Sequence, residues 1–193
     1  MNATESLKTD RGEERTGVFT SGIVSEKDGR KIALFYTGRE HAGENLAVVL
    51  KERPESLAPP IQMSDALSRN TTSTGPTGKF KTILASCCAH ARREFVDLAE
   101  TFPEECAMVL ETFSSVYKFD DDAREEKLTP EARLVYHQQR SGPLMAELIK
   151  WASRQFEEKL VEPNSSCGKA IKYLQNHWEK LTLFLRVPGA PLD

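Results

Sequence analysis

The chain has 193 residues, of which 28% are charged and 39% hydrophobic, and its formal net charge is -3. This size and composition are typical of one globular domain, or of one domain with a large insertion. The slight acidic excess argues against a dedicated basic DNA-binding arm, although a local basic patch at a cleft is compatible with it. Residues 1–15 lack the apolar core of a signal peptide, and no apolar run approaches a membrane span. We therefore expect a cytoplasmic protein with no membrane partner.

The first half of the chain is rich in β-forming residues. Residues 1–15 are polar and charged, and we expect them to be disordered. Residues 18–24 and 31–37 are strand-like runs on either side of an Asp-Gly pair, a sequence that favours a β-hairpin. Residues 41–53 then place apolar side chains at helical spacing.

Two short strand candidates follow, and each ends at residues that could carry chemistry. Residues 61–66 predict a strand that ends at Asp65. Residues 80–88 predict a second, buried strand that ends at Cys88, just after Cys87. The four cysteines have no spacing typical of a disulfide framework, so we expect free thiols.

The second half of the chain is predicted to be mostly helical. Residues 91–100 form one helix, and Pro103 begins another, with acidic residues in its first turn. A long helix is predicted over residues 129–160, with a break near Gly142, and a last helix over residues 164–178. The apolar stripe of the helix that begins at Pro103 comprises Met108, Val109, Phe113, Val116 and Tyr117. The acidic run from Asp120 to Asp122 is expected to form an exposed turn between helices.

Asp65 is the first candidate site residue. A carboxylate held at the end of a strand can bind a hard cation such as Mg²⁺, and two-metal phosphoryl transfer uses several such carboxylates. An aspartate after a strand is also a common way to begin a turn. The residues alone leave both interpretations open.

Cys87 and His90 form the second candidate, a Cys-x-x-His pair followed by Arg92 and Arg93. The pair has the spacing of half a zinc site, but a structural zinc site needs four ligands. Alternatively, Cys87 is a small buried side chain and His90 a hydrogen-bonding residue at a strand end. A third interpretation is that His90 and the arginines lie at a cleft edge, where arginine binds phosphate oxygens. Because Arg92 and Arg93 project in different directions on a helix, we do not expect both to bind one phosphate.

These motifs belong to a wider pattern, over about residues 16–193, in which the chain resembles the insertion-sequence-66 family of transposases. The matching segments are residues 32–46 (IALFYTGREHAGENL), 62–70 (QMSDALSRN), 87–95 (CCAHARREF), 141–143 (SGP), 168–170 (GKA) with Leu174, His177 and Trp178, 181–185 (LTLFL) and 188–193 (PGAPLD). So many matches in the same order make a chance likeness improbable.

The resemblance implies an α/β (α+β) fold, namely a partial ribonuclease-H-like core followed by a mostly helical insertion. On this basis residues 16–96 are the partial core, residues 97–185 the helical insertion, and residues 186–193 a truncated C-terminal loop. Residues 1–15 are the N-terminal tail.

The resemblance also implies a chemistry. Such transposases bind two Mg²⁺ ions with an Asp, Asp, Glu set, cut the ends of a mobile element and join them to target DNA. Asp65 corresponds to the second acid, both catalytic and metal-binding. Cys87 and His90 match a motif thought to contact DNA near the cleavage point, and Arg92 and Arg93 follow it as DNA-binding candidates.

The chain departs from the family pattern at both ends. No strand with the first Asp precedes residue 17, and Asp193 lies inside the stretch that precedes the family's Glu. Ala66 and Leu67 stand where many members have Gly-Tyr. We therefore expect a fragment that binds transposon-end or target DNA but is inactive alone. We also expect it to self-associate or to bind full-length transposase. The alternative function is a non-catalytic DNA- or transposase-binding regulator.

Overall fold

The computed structural model describes residues 16–27, 29–72 and 82–193. The chain forms two compact units: unit 1 comprises residues 1–59 and 67–81, and unit 2 comprises residues 60–66 and 82–193. The prediction of a mixed α and β fold is confirmed, with most of the helix in unit 2. The tail predicted to be disordered, residues 1–15, lies outside the described residues.

Unit 1 contains the predicted β-hairpin, which is confirmed. Strands β1 (Phe19–Lys27) and β2 (Arg30–Gly38) pair antiparallel. Gly29 follows β1 with φ = +74°, a backbone conformation that glycine adopts without strain. Most side chains of both strands are exposed.

Helix α1 (Ala42–Lys51) confirms the helical segment predicted after the hairpin. The main-chain N–H of His41 donates to the Glu44 carboxylate at 2.7 Å, which satisfies one of the donors that a helix start leaves free. Near this end α1 meets the segment around a 3-10 turn (Ser68–Asn70). A Cβ atom on Gly43 would lie 2.1 Å from the Thr71 carbonyl oxygen, so this close approach requires glycine.

Unit 2 begins with two short strands that pair in parallel. Strand β3 (Ile61–Ser64) lies beside β4 (Ile83–Ser86), with Ile61 opposite Ile83 and Ser64 opposite Ser86. The two predicted strands are thus confirmed in a shorter form, although residues 80 and 81 lie outside the described part of the chain.

Helices make up the rest of unit 2. They are α2 (Cys88–Val96), α3 (Pro103–Glu125), α4 (Pro130–Glu157), α5 (Ser166–Asn176) and the single turn α6 (Trp178–Leu181). The break predicted near Gly142 is wrong, because α4 continues through Pro143. Buried side chains on either side of the proline, Ser141 and Met145, anchor both halves of α4 in the core. No helix in the described ranges is long and apolar enough to cross a membrane.

A single hydrophobic core fills unit 2. It includes Val109, Phe113 and Val116 from the stripe predicted on α3, all fully buried. Trp151 and Trp178 pack half-buried against this core. All four cysteines are free, as predicted, and all four are buried. Strands β3 and β4 and helix α2 share this core with the later helices. The predicted domain boundary between residues 96 and 97 stays a prediction.

The expectation that the acidic run at residues 120–122 forms an exposed turn is wrong. The run lies inside α3 rather than in an exposed turn, and Asp120 is fully buried. Its carboxylate accepts hydrogen bonds from Arg133 Nε at 2.7 Å and His137 Nε2 at 3.0 Å, and pairs with Arg124 at 2.7 Å. These donors compensate the buried charge, so the helix continues through the run.

The Asp120 network is structural. His137 Nδ1 lies 2.9 Å from Ser141 Oγ, which gives an Asp–His–Ser chain of hydrogen bonds, but all three residues are fully buried and no substrate can reach them. Burial raises the pKa of Asp120, but the hydrogen bond from His137 and the charge of Arg133 outweigh it, so the pKa is lowered.

The C-terminal segment, residues 187–193, is tied to the helices of unit 2. Arg133 Nη1 donates to the Ala190 carbonyl at 2.8 Å. The Cys88 N–H donates to the Leu192 carbonyl at 2.8 Å, and Ala190 and Leu192 are buried. The Asp120 network therefore reaches, through Arg133, a segment that contacts the first turn of α2.

Candidate functional site

The carboxyl ends of β3 and β4 form the edge that carries the predicted site residues. Because Ser64 is opposite Ser86 in the parallel pair, Asp65 and Cys87 leave the sheet side by side. The Cys87 N–H donates to the Ser64 carbonyl at 3.0 Å, which continues the ladder past the last paired residues. Two motifs that are far apart in the sequence thus meet at one edge.

Asp65 is half-buried at this edge. Ser64 Oγ donates to the Asp65 main-chain carbonyl at 2.8 Å, and Met63 packs against the core of unit 2. The main chain that carries the Asp65 carboxylate is therefore anchored at its strand end.

Tyr173 of α5, a residue outside every sequence motif, lies close enough to Asp65 for the charge of that carboxylate to act on its hydroxyl group. Burial raises the pKa of Tyr173, and the carboxylates of Glu94 and Asp65 raise it further. Tyr173 therefore stays a neutral phenol at physiological pH.

His177, the C-cap residue of α5, is a neighbour of Tyr173, and their ring centroids lie 4.6 Å apart. Burial lowers the pKa of His177, and the charge of Lys180 lowers it further, so the ring is neutral near pH 7. The spacing of four residues between Tyr173 and His177, one helical turn, was the only signal in the sequence that these rings meet.

Cys87 and Cys88 open helix α2, with Cys87 at the N-cap position. Cys88 is fully buried and its thiol donates to the Leu181 carbonyl at 3.5 Å. Burial raises the pKa of Cys88 well above its usual value, so this thiol is not a thiolate nucleophile. The Cys88 N–H is already bonded to Leu192, so this amide at the helix start does not face a ligand.

The other side of α2 is open. Cys88, Ala91 and Phe95 form its buried face. His90, Arg92 and Arg93 are all exposed. On a helix His90 and Arg93 are neighbours, whereas successive residues such as Arg92 and Arg93 diverge, in keeping with the expectation that they do not share one phosphate. Their role as DNA-binding residues stays a prediction.

Metal binding can be tested against the donors that are present. Within the described residues, no three or more His, Cys, Asp or Glu side chains come together to hold a metal ion. A zinc site on Cys87 and His90 would need two further ligands. A two-magnesium site on Asp65 would need further carboxylates. The donor set formed by residues 16–27, 29–72 and 82–193 therefore fits neither metal site.

The edge nevertheless has a definite chemical character. It presents two carboxylates, those of Asp65 and Glu94, near the neutral phenol of Tyr173, and two basic side chains, Arg92 and Arg93, project from α2. Guanidinium groups bind phosphate oxygens through paired hydrogen bonds. Arg92 and Arg93 supply such groups on the exposed side of α2.

Comparisons with known proteins show which family the chain resembles. The family model for the transposase IS66 family matches residues 4–193. Uncharacterized protein y4jD of Sinorhizobium fredii (strain NBRC 101917 / NGR234) is 36% identical over 104 residues, which is 53% of this chain and 19% of the relative. Uncharacterized protein y4hP of the same strain is 28% identical over 116 residues, 53% of this chain and 20% of the relative. The chain thus spans about a fifth of the length of these curated relatives. No solved structure matches it.

Proposed function

Because the chain belongs to the transposase IS66 family, we propose that unit 2 contributes part of the active site of a DDE-type transposase. In this proposal β3 and β4 belong to a ribonuclease-H-like core, and Asp65 is the second acid of an Asp, Asp, Glu set. The observation that carries it is the parallel register that sets Asp65 beside Cys87 at one carboxyl edge. In α/β sheets the carboxyl ends of parallel strands are the usual place for ligands.

The DNA in this proposal lies along the open side of α2. Arg92 and Arg93 bind phosphates on adjacent parts of the backbone, and His90 lies next to Arg93 on the same helix. Such contacts release counterions and therefore give binding that weakens as salt increases. Because the net charge of the chain is -3, its overall charge does not attract DNA. In this proposal the affinity for DNA comes from the local basic patch on α2.

Catalysis by this chain alone is not expected. Two-metal phosphoryl transfer needs several carboxylates around the ions, and the described residues assemble no set of three metal ligands. In the proposal Mg²⁺ binds where further carboxylates join Asp65. The isolated chain then binds DNA of transposon ends and targets without cutting it.

A salt-dependent binding experiment tests the DNA contacts. Fluorescence anisotropy is measured with a labelled duplex from the end of the mobile element and with a scrambled duplex. Arg92→Gln and Arg93→Gln should each reduce the slope of log affinity against log salt by about one. Arg140→Gln, at an exposed arginine of α4, is the matched control and should leave the slope unchanged. Equal slopes in all variants would contradict the proposed DNA face.

A nicking assay tests the role of Asp65. We expect no cleavage of either duplex by the purified chain with Mg²⁺ or Mn²⁺. Nicking that Asp65→Asn abolishes would contradict the expected inactivity while supporting Asp65 as a catalytic residue. Nicking that persists in Asp65→Asn would remove Asp65 from the proposal.

The exposed hairpin of unit 1 favours a second candidate, a non-catalytic regulator that binds full-length transposase. Phe35, Val24 and Ile32 are 76%, 65% and 63% exposed, which is unusual for apolar side chains in strands. Co-elution of the chain with full-length transposase, lost in the double variant Val24→Thr with Phe35→Thr, would favour this candidate. Co-elution that survives both substitutions, or none at all, would count against it.

A further inference from the structure

Helix α2 begins without the side-chain cap that often satisfies the N–H groups of a first turn. Cys87 occupies the N-cap position, and among the described residues its side chain makes no capping hydrogen bond. The first N–H of the helix, that of Cys88, instead donates to the Leu192 carbonyl at 2.8 Å. A helix start leaves four such donors without a partner inside the helix. The C-terminal segment, residues 187–193, therefore caps α2 from a distant part of the chain.

A turn and the burial of two side chains order this capping segment. The Ala190 N–H donates to the Val187 carbonyl at 3.2 Å across a Pro-Gly pair. The glycine, Gly189, has φ = +77°, and proline followed by such a residue is typical of a type II turn. The side chains of Ala190 and Leu192 are buried in the core of unit 2. The Leu192 carbonyl therefore meets α2 from an ordered segment.

Arg133 of α4 ties the capping segment to the Asp120 network. Its Nη1 donates to the Ala190 carbonyl at 2.8 Å, and its Nε donates to the Asp120 carboxylate at 2.7 Å. A guanidinium group carries its donors in one rigid plane, so binding the carboxylate also fixes the direction of the donor that meets Ala190. One side chain thus connects α3 and α4 to the segment that caps α2.

We infer that Arg133 is a positioning residue of the candidate site, which acts through the capping segment on the first turn of α2. This turn links both parts of the proposed site, because Cys87 lies beside Asp65 and the helix that follows presents the two exposed arginines. The inference rests on the proposed function, since the placement of α2 matters for DNA only there.

A lysine substitution separates the two contacts of Arg133. Arg133→Lys keeps a positive charge for the buried Asp120 carboxylate, but its single nitrogen cannot occupy both donor positions of the guanidinium group. Arg124→Lys is the matched control, because Arg124 pairs with the same carboxylate at 2.7 Å from an exposed position. Two quantities are measured on the full chain. One is amide exchange of Cys88 relative to that of Ile171 in the middle of α5, and the other is affinity for the labelled duplexes across a range of salt concentrations.

Both quantities should change in Arg133→Lys. Exchange of the Cys88 amide should become about tenfold faster relative to the Ile171 amide, because its acceptor is no longer held in place. Affinity for the duplexes should fall about threefold at every salt concentration, since a looser α2 must be ordered on binding. The slope of log affinity against log salt should not change, because the phosphate contacts and the net charge stay the same. Arg124→Lys should leave both quantities as they are in the native chain.

The positioning role can fail in distinct ways. Unchanged relative exchange of Cys88 in Arg133→Lys would mean that Arg133 does not hold the cap. Unchanged affinity would mean that the cap does not position the DNA face. A changed salt slope would mean that Arg133 itself contacts phosphate. Equal effects of Arg124→Lys would assign both changes to the charge balance at Asp120 rather than to the capping segment. Each of these results would overturn the inference.

Failure of the proposed function gives a different result. If the native chain does not bind the duplexes, the proposed DNA face is wrong, the positioning role is overturned with it, and faster Cys88 exchange reports a structural cap alone. If Arg92→Gln and Arg93→Gln reduce the salt slope while Arg133→Lys leaves affinity unchanged, only the positioning role is wrong.

Discussion

The two units use apolar side chains in opposite ways. In unit 2 they form one buried cluster in which Phe113, Leu148 and Ile171 are fully inaccessible. In unit 1 the hairpin exposes most of its apolar side chains. Among the described residues of unit 1, Leu50 is the only buried hydrophobic residue. The same residue types thus stabilise one unit and leave the other with open apolar surface.

Unit 1 is held together by close main-chain contacts and by small or polar residues. Gly43 meets the carbonyl of Thr71, and the buried positions include Ser21 and Asn45. Burial of apolar area is the main favourable term in folding, so unit 1 has little of it to offset the entropy of ordering its chain. We therefore expect unit 1 to open at a lower free energy than unit 2.

The largest effect is expected at the buried charge of unit 2. Asp120→Ala leaves Arg133 and His137 without their shared acceptor and should lower the free energy of unfolding by about 3–5 kcal/mol. The two tryptophans, Trp151 and Trp178, both lie in unit 2, so urea unfolding followed by their fluorescence reports this unit.

Asp121→Ala is the matched control for the buried charge, because the Asp121 side chain is 68% exposed. It should change stability by no more than about 0.5 kcal/mol. Equal losses for the two substitutions would mean that the Asp120 network does not stabilise unit 2.

A pair of apolar truncations tests the contrast between the units directly. Leu148→Ala empties a fully buried site and should lower the unfolding free energy of unit 2 by about 2–5 kcal/mol. Phe35→Ala removes a larger but exposed side chain and should cost less than about 0.5 kcal/mol in unit 1, as measured by amide exchange of α1. Strong destabilisation by Phe35→Ala would show that the hairpin face is covered in solution.

A glycine substitution should destabilise unit 1 alone. Gly43→Ala forces a Cβ atom against the Thr71 carbonyl and should cost about 1–3 kcal/mol, seen as faster amide exchange in α1. Tryptophan fluorescence of unit 2 should report an unchanged urea midpoint.

Gly142→Ala in α4 is the control for the glycine substitution, because the nearest atom to its added Cβ is 3.8 Å away. Alanine is favoured over glycine within helices, so this variant should stabilise unit 2 by up to about 1 kcal/mol. Destabilisation by Gly142→Ala would contradict the prediction, because it would mean that the added methyl group clashes with a neighbouring atom.

Local patterns in the sequence predicted most of the secondary structure, including the two short strands before Asp65 and Cys87. Their parallel pairing, which forms the Asp65 edge, was not predicted. The hairpin followed from the Asp-Gly pair between two strand-like runs. These features depend on residues that are near one another in the chain, which is why pattern and propensity were sufficient.

Features that depend on distant partners were not predictable in the same way. Three successive aspartates indicate an exposed segment, yet Asp120 is buried because Arg133 and His137 on α4 supply donors. Tyr173 lacks a motif because only the packing of α5 brings its hydroxyl group near the carboxylates of Glu94 and Asp65. Only the packed helices bring these groups together.

The smallest effect expected concerns pH and the same buried carboxylate. Because the pKa of Asp120 is lowered by folding, its stabilising contribution is fully present above its unfolded pKa, about 3.9. That contribution is lost as the pH falls through the lower pKa of the folded chain. The loss is smaller than for truncation, since a protonated Asp120 still fills its site and can accept hydrogen bonds. Urea unfolding of the native chain and of Asp120→Asn should therefore give a stability difference that shrinks as the pH falls below about 4. A difference that stays constant with pH would mean that the ionisation of Asp120 does not stabilise unit 2. The Asp120 side chain would then stabilise unit 2 only through its packing and its hydrogen bonds.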